Sequence, residues 1–217
     1  MAVLIYNIYK DHNRGASKSV RGFFLSSGKN LLATTGFFLL TLLSIAPFPT
    51  LASDNGYRVV VTKSTRELKL MKGNTVVKKY TISYGKGHGL TKRRIGDNNT
   101  PTGRYRIVKF KPDSKFSFFM QLDYPNLLDA WYGYKDNIIS SNDFKNIAVA
   151  FKNHDMPPQN TPLGGYIGIH GLGEVSTEQL KIHLRNNWTD GCIALKNEEI
   201  NELKRYVSIG TPIIIKP

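Results

Sequence analysis

The sequence has very little cysteine and few acidic residues. One cysteine among 217 residues cannot form an intramolecular disulfide, and it excludes a cysteine-rich zinc site. The 30 lysine and arginine residues outnumber the 16 aspartate and glutamate residues, which gives a formal net charge of +14. Such an excess indicates an anionic partner, and composition alone leaves nucleic acid, a membrane surface and an acidic polymer open. Hydrophobic residues make up 41% of the chain, enough to exclude wholesale disorder.

Charge is absent from residues 31–46, an apolar run of 16 residues that follows a basic stretch. Pro47 and Pro49 come next, and then small residues suited to cleavage after Ala52. This arrangement is typical of a secretory signal, whereas a membrane span needs about 20 apolar residues. We therefore predict that residues 1–52 are a leader, either a cleaved signal peptide or an N-terminal anchor. The protein is then periplasmic or bound to the cell envelope, and only this segment contacts the membrane.

The basic character does not depend on the leader. Residues 1–52 hold five of the basic residues and one of the acidic ones, so the remainder keeps a net charge of +10. Export argues against nucleic acid as the partner, and the chain shows no nucleic-acid recognition motif. Anionic wall polymers and phospholipid headgroups are the better candidates.

The chain after the leader is predicted to be one mainly-β domain over residues 57–217, without repeats. Apolar and β-branched segments predict strands at 57–61, 68–71, 75–84, 105–110, 166–170 and 212–216. Residues 85–103 are predicted to form a loop, and residues 112–165 long loops with short strands. Two short helices are predicted near the C-terminus, behind the capping residues Ser176 and Asn197, at 176–186 and 197–206.

The single cysteine, Cys192, follows a glycine in the segment NWTDGCIAL, residues 187–195. A free thiol in an exported protein risks oxidation, so its presence favours a function such as nucleophilic catalysis. The alternative is a buried cysteine that packs as a small hydrophobic side chain. Gly191 favours catalysis, because it lets the backbone turn sharply next to a ligand. The N–H groups of Gly191 and Cys192 could then face an oxyanion.

A thiol nucleophile needs a base or a cationic neighbour. Of the five histidines, His170 ends an apolar strand and precedes the flexible sequence Gly171-Leu172-Gly173, which suits a cleft. A lone histidine is more often structural, so the hypothesis depends on a pairing of His170 with Cys192.

Three sequence elements occur in a fixed order, namely GDNNTPTGRY (96–105), IGIHG (167–171) and TDGCIAL (189–195). Together they resemble the L,D-transpeptidase catalytic domain family of the YkuD type, over about residues 58 to 216. The resemblance implies a mainly-β, sandwich-like fold with the cysteine in a cleft. It also implies peptidoglycan stem peptides as substrate, and it requires no metal or cofactor.

The resemblance further implies roles for individual residues. Cys192 would attack the carbonyl of the third residue of a tetrapeptide stem, at its L-centre, and His170 would take the thiol proton. Support for the oxyanion and the base is expected from four neighbours, namely Gly171, Thr189, Asp190 and Gly191. An amine acceptor gives a cross-link or an attached protein, whereas water gives hydrolysis.

Two positions depart from the family pattern. Asp190 stands where many members have histidine, and Ala194 stands where many have an arginine thought to hold a substrate carboxylate. Asp190 could orient His170, as a carboxylate orients a catalytic imidazole, or it could be a turn residue. The sequence WTDGCIAL (188–195) resembles a subgroup that includes enzymes acting on the link between wall and lipoprotein. An envelope lipoprotein therefore joins stem peptides as a candidate partner.

Three further residues are weaker substrate-binding candidates, namely Arg93, Arg94 and Trp188. The two arginines could bind peptide carboxylates, although such charge runs are more often solvated loops. Two other functions stay open at this point. One is a hydrolase of the same fold, an L,D-carboxypeptidase or an amidase that detaches protein from the wall. The other is a non-catalytic wall-binding module.

Overall fold

The computed structural model describes residues 56–217, so the predicted leader at 1–52 lies outside the described residues. Within this part, eight strands have the following bounds: β1 Tyr57–Thr62, β2 Glu67–Lys72, β3 Thr75–Thr81, β4 Gly103–Ser114, β5 Ser117–Leu122, β6 Gly168–His170, β7 Ile193–Ala194 and β8 Pro212–Lys216. Four helices accompany them: α1 Leu127–Lys135, α2 Ser141–Asn153, α3 Thr177–Arg185 and α4 Asn197–Leu203.

The strands form one sheet in the order β3-β2-β1-β8-β4-β5-β6-β7. The C-terminal strand β8 lies in the interior of the sheet, parallel to β1 and antiparallel to the first residues of β4. The rest of the long strand β4 pairs with β5. Isolated bridges join Ser83 to Ala194 and Gly85 to Thr189, so the chain after β3 meets the β7 end of the sheet. The sheet thus curls on itself, and the prediction of a mainly-β domain is confirmed.

The core lies on the inner face of this curled sheet, and burial follows the two-residue period of the strands. Val59 and Val61 of β1 are fully buried, as are Leu68 and Leu70 of β2. Burying one such side chain stabilises the fold by about 1.5–3 kcal/mol. The same cluster contains residues of the strands that carry the motifs, namely Ile167, Ile169, Ile193 and Leu195.

Both predicted C-terminal helices are present. Ser176 caps α3 as predicted, and its hydroxyl accepts the N–H of Gln179. The cap of α4 is Lys196, one residue earlier than predicted, and the helix runs from Asn197 to Leu203. Asn197 was expected to be that cap, and it instead binds the loop after β6 with its side chain. None of the helices within residues 56–217 is long and apolar enough to cross a bilayer.

Helices α1 and α2 lie where loops and short strands were predicted, so that prediction was wrong for residues 127–135 and 141–153. Each helix begins with a capping box in which an aspartate three residues on accepts the N–H of the cap. The pairs are Asn126 with Asp129 and Ser140 with Asp143. The three-residue spacing of each pair is the sequence pattern that could have predicted both helices. The many proline and aromatic residues nearby favoured a loop prediction instead.

Candidate active site

His170 lies in β6, and Cys192 lies immediately before the neighbouring strand β7. In the parallel pair β6–β7, Ile169 is opposite Ile193 and His170 is opposite Ala194. Both isoleucines belong to the core, so His170 and Ala194 project to the other face. Cys192 immediately precedes β7, and the same alternation, continued by one residue, would assign it to the face of His170. The fold thereby brings the two segments that carry these residues next to each other.

A backbone carbonyl fixes the orientation of the His170 ring. Nδ1 of His170 lies 2.6 Å from the carbonyl oxygen of Gly171. A carbonyl only accepts hydrogen bonds, which assigns the proton to Nδ1 and leaves Nε2 as the basic nitrogen. The residue is only 2% exposed, and burial lowers the pKa of its imidazole, although the bond to Gly171 opposes this. His170 is therefore neutral at pH 7, in the tautomer that a general base requires.

The loop after His170 is held by Asn197, a residue that the sequence did not single out for the site. Its Oδ1 accepts the N–H groups of Leu172 at 2.8 Å and Gly173 at 3.1 Å, and its Nδ2 donates to the Gly173 carbonyl at 2.7 Å. The backbone passes so close that a Cβ at Gly171 would lie 2.6 Å from the Phe116 carbonyl oxygen. Asn197 thus positions the carbonyl that orients His170.

Aromatic rings surround the imidazole. The ring centroid of Phe116 is 4.2 Å from that of His170, Phe119 stacks nearly parallel at 6.2 Å, and Trp188 meets it edge-on at 6.1 Å. The indole Nε1 of Trp188 is buried and has no hydrogen-bond partner within residues 56–217. Trp188, predicted as a weak substrate contact, therefore packs against the base.

The thiol of Cys192 is protonated in the free protein. Burial raises its pKa to about 11, and the Asp190 carboxylate adds to this, whereas the Gly168 N–H and the Lys92 ammonium oppose it. The residue is half-buried, and Sγ lies 3.5 Å from the carbonyl oxygen of Tyr166, to which it donates. A neutral thiol must transfer its proton to a base before it can act as a nucleophile.

Tyr166 was predicted to begin a strand, yet it lies outside β6 in a left-handed conformation with φ of 56°. Its N–H donates to Oε1 of Gln159 at 2.6 Å, and that amide also accepts from Gln121 and donates to the Tyr124 and Pro157 carbonyls. This network keeps the Tyr166 carbonyl next to the sulfur while the ring stays 60% exposed.

Thr189 closes the turn that presents Cys192. Its Oγ1 donates to the Cys192 carbonyl at 2.6 Å and accepts the Gly191 N–H at 3.2 Å. Gly191 has φ of +133°, and a Cβ there would lie 2.9 Å from the Asn99 carbonyl oxygen, which explains the glycine. The Gly191 N–H, expected at the oxyanion, is thus bound to Thr189, whereas the Cys192 N–H has no acceptor within the described residues.

Asp190 does not orient His170. Its side chain is 79% exposed and its Oδ1 forms an ion pair with Nζ of Lys86 at 2.9 Å. The Nδ1 position that a carboxylate would occupy is taken by the Gly171 carbonyl. Of the two alternatives that the sequence left open, the structure favours the turn residue.

Among the described residues, neither Arg93 nor Arg94 contacts Cys192 or His170. The Arg93 guanidinium stands 4.6 Å from the ring centroid of Tyr132, and Arg94 is exposed. Their neighbour Lys92 is instead 4% exposed and forms an ion pair with Asp97 at 2.9 Å. Asp97 also accepts the Arg93 and Arg94 N–H groups, so the basic run is folded around a carboxylate.

The other described histidines are not placed as bases for Cys192. His88 is exposed, and His154 ends α2 with its Nδ1 2.7 Å from an Arg106 nitrogen. His183 is fully buried, and both its ring nitrogens lack a hydrogen-bond partner within residues 56–217. Burial lowers the pKa of His183 to about 4, so it is neutral at pH 7. No cluster of three or more His, Cys, Asp or Glu side chains in this part of the chain could hold a metal ion.

Several solved structures are similar to this chain in part. Bd1075 of Bdellovibrio bacteriovorus is 22% identical over 74% of this chain and 47% of its own, with a TM-score of 0.47. The helical cell shape determining protein Pgp2 of Campylobacter jejuni is 22% identical over 74% of this chain and 48% of its own, also with a TM-score of 0.47. An L,D-transpeptidase of Xylanimonas cellulosilytica is 15% identical, with 78% and 64% covered and a TM-score of 0.43. The chain thus spans about half the length of the first two.

No curated protein sequence matches the chain. A family model does match, over residues 56–215, and it describes the L,D-transpeptidase catalytic domain, YkuD. This range contains all three sequence elements, both strands of the Cys192 and His170 pair, and nearly every described residue. The chain therefore belongs to the YkuD family of L,D-transpeptidase catalytic domains.

Proposed function

We propose that the protein is an exported, peptidoglycan-modifying cysteine transpeptidase. A stem peptide acylates Cys192 through the L-centre carbonyl of its third residue, and the acyl group passes to an amine. The observation that carries this proposal is the strand register that sets His170 on the strand next to β7, which Cys192 directly precedes, with His170 Nδ1 bonded to Gly171. Family membership supports the substrate class, and the apolar run at 31–46 supports export.

In the first half-reaction the His170 Nε2 takes the proton from Sγ as sulfur attacks the peptide carbonyl. The thiol must leave the Tyr166 carbonyl to make this transfer, which is consistent with the long 3.5 Å contact in the free protein. The Cys192 N–H, which has no acceptor among the described residues, donates to the resulting oxyanion. Collapse of the tetrahedral intermediate breaks the C–N bond, and His170 returns the proton to the departing amine. A thioester on Cys192 remains.

In the second half-reaction the acceptor amine attacks the thioester and loses a proton to Nε2. The new amide forms, the C–S bond breaks, and the thiol is regenerated. Water in place of the amine gives a shortened peptide by the same steps. Because the base is neutral and fixed in one tautomer, it accepts a proton in each half-reaction without a change of orientation.

The test is incubation of the purified protein with tetrapeptide muropeptides, followed by mass spectrometry of products and protein. We expect cross-linked dimers, a thioester adduct on wild type, and neither with Cys192→Ala. His170→Asn should abolish turnover, whereas the matched variant His154→Asn should retain it, because the exposed His154 ring binds Arg106 at the end of α2.

The other outcomes are distinct from one another. If the products were shortened monomers without dimers, the reaction at this thiol would be hydrolysis and not transfer. If Cys192→Ala retained full binding to peptidoglycan while wild type formed neither adduct nor product, the protein would be a non-catalytic wall-binding module.

A further inference from the structure

Four residues form a row across the sheet, one strand after another. Lys111 of β4 is opposite Phe119 of β5, Phe119 is opposite His170 of β6, and His170 is opposite Ala194 of β7. Directly opposite residues project to the same face of a sheet. Strands lie about 4.8 Å apart, so the Lys111 backbone is about 10 Å from that of His170. A lysine side chain on this face can reach the space beside the imidazole.

Two aromatic rings hold the Lys111 ammonium. Nζ lies 5.6 Å from the ring centroid of Phe119 and 5.6 Å from that of Tyr166, within the range of cation–π attraction. Phe119 stacks on His170, and its ring lies so close to Gly168 that a Cβ there would be 2.5 Å from Phe119 Cζ. Tyr166 accepts the Cys192 thiol with its carbonyl. Each ring that holds the cation therefore belongs to a residue in contact with one member of the catalytic pair.

The Lys111 ammonium has no anionic partner among the described residues. Within residues 56–217 its Nζ forms no ion pair and donates no hydrogen bond, whereas Lys92 is paired with Asp97 and Lys86 with Asp190. Lys115 stands over the single ring of Phe116, which packs against His170, and it does so from an exposed turn. Lys111 is thus a half-buried cation held by two rings, Phe119 and Tyr166, without an anion among the described residues.

We propose that Lys111 binds the α-carboxylate of the leaving residue, and so selects stem peptides that end one residue beyond the cleaved bond. This inference rests on the proposed acyl transfer at Cys192. His170 must reach the leaving nitrogen to protonate it, and the carboxyl carbon of a terminal residue is two bonds from that nitrogen. A cation next to the imidazole therefore meets this carboxylate. A longer peptide presents a neutral amide there, and its next residue meets the Tyr166 and Lys111 side chains.

The experiment compares two donors, a tetrapeptide muropeptide with a free C-terminal carboxylate and the same compound as its carboxamide. Wild type should prefer the free acid by about tenfold in kcat/KM, the size expected for one charge-assisted hydrogen bond. Lys111→Met should lose this preference by slowing the acid alone, and Lys111→Arg should retain it, because a guanidinium also stacks on aromatic rings. Lys115→Met and the distant Lys72→Met, which remove the same charge and a similar ring contact, should keep the wild-type preference.

Three results would overturn the assignment. They are equal rates of wild type on both donors, equal slowing of both donors by Lys111→Met, and loss of the preference in Lys115→Met. The second result would mark Lys111 as structural. If wild type acted on neither donor and Cys192 stayed unacylated, the proposed function would fail as well, whereas turnover without preference would remove only the role of Lys111.

Discussion

Alkylation of Cys192 by iodoacetamide should accelerate with pH far into the alkaline range. Burial raises the pKa of this thiol to about 11, and burial also lowers the pKa of His170. The free enzyme then holds a neutral pair instead of a thiolate and an imidazolium. Because only the thiolate reacts, the pH dependence of alkylation measures which of these two states exists.

The magnitude follows from the fraction of thiolate. A thiol with a pKa of about 11 is ionised in about one molecule in ten thousand at pH 7, whereas free cysteine, with a pKa of about 8.5, is ionised to about 3%. Cys192 should therefore react about two orders of magnitude more slowly than free cysteine at pH 7. Its rate should rise about tenfold for each pH unit up to about pH 10. The chain has one cysteine, so the mass of the intact protein reports on this site alone.

Two variants sharpen the assay. Asp190→Asn removes a negative charge near the sulfur, so its profile should move slightly to lower pH, and only slightly because Asp190 is mostly exposed and paired with Lys86. His170→Asn should leave the alkylation profile nearly unchanged while it abolishes turnover. A plateau between pH 5 and 7 in wild type, with the His170→Asn profile displaced to higher pH, would refute the neutral pair, because both are signatures of a thiolate stabilised by imidazolium.

Three further predictions concern the residues around the pair. Asn197→Ala leaves two loop N–H groups without an acceptor, so the free energy of unfolding should fall by about 1–3 kcal/mol and kcat should fall more than KM rises, as thermal denaturation and muropeptide turnover would show. Thr189→Val removes both hydroxyl bonds of the turn and should lower kcat/KM about tenfold, and recovery in Thr189→Ser would separate the hydroxyl from the methyl group. Burial raises the pKa of Asp129 to about 7, so the folded protein keeps a proton that the unfolded chain releases near pH 4. The free energy of unfolding should therefore decline as pH rises from about 4 to 7. Denaturant titrations at several pH values should show a smaller decline for Asp129→Asn than for wild type, and an equal decline would contradict the assignment.

Local sequence patterns predicted most strands, because two-residue alternation appears wherever a strand has one buried face. They also predicted α3, whose Ser176 cap lies directly before the helix. The patterns failed for α1 and α2, where capping boxes begin short helices among prolines and aromatic residues. Composition dominated that prediction, whereas the local hydrogen bonds of Asn126 and Ser140 determine the structure.

The candidate site shows the same division. Cys192 and His170 were identified from their glycine-containing motifs, which are contiguous in the chain. The hypothesis that Asp190 orients the histidine is not supported, because the Asp190 side chain pairs with Lys86. The closeness of Asp190 to Cys192 in sequence does not determine where the Asp190 side chain points. Asn197, Tyr166 and Lys111 belong to no motif. Loop packing sets Asn197 against the loop after His170 and the Tyr166 carbonyl against the Cys192 thiol, and strand pairing sets Lys111 in the row of His170.

The sequence by itself determined the chemical groups of this protein. It supplies one thiol, a histidine at a strand end, a basic surface and a family signature, because each is a property of residue identity or of short, contiguous spacing. The tertiary structure alone decided which groups meet. His170 takes the Gly171 carbonyl as its partner instead of Asp190, and Lys111 lies in the row of the imidazole, 59 positions earlier in the chain. Strand register between distant segments sets these contacts, and a shift of one residue would turn every side chain to the opposite face.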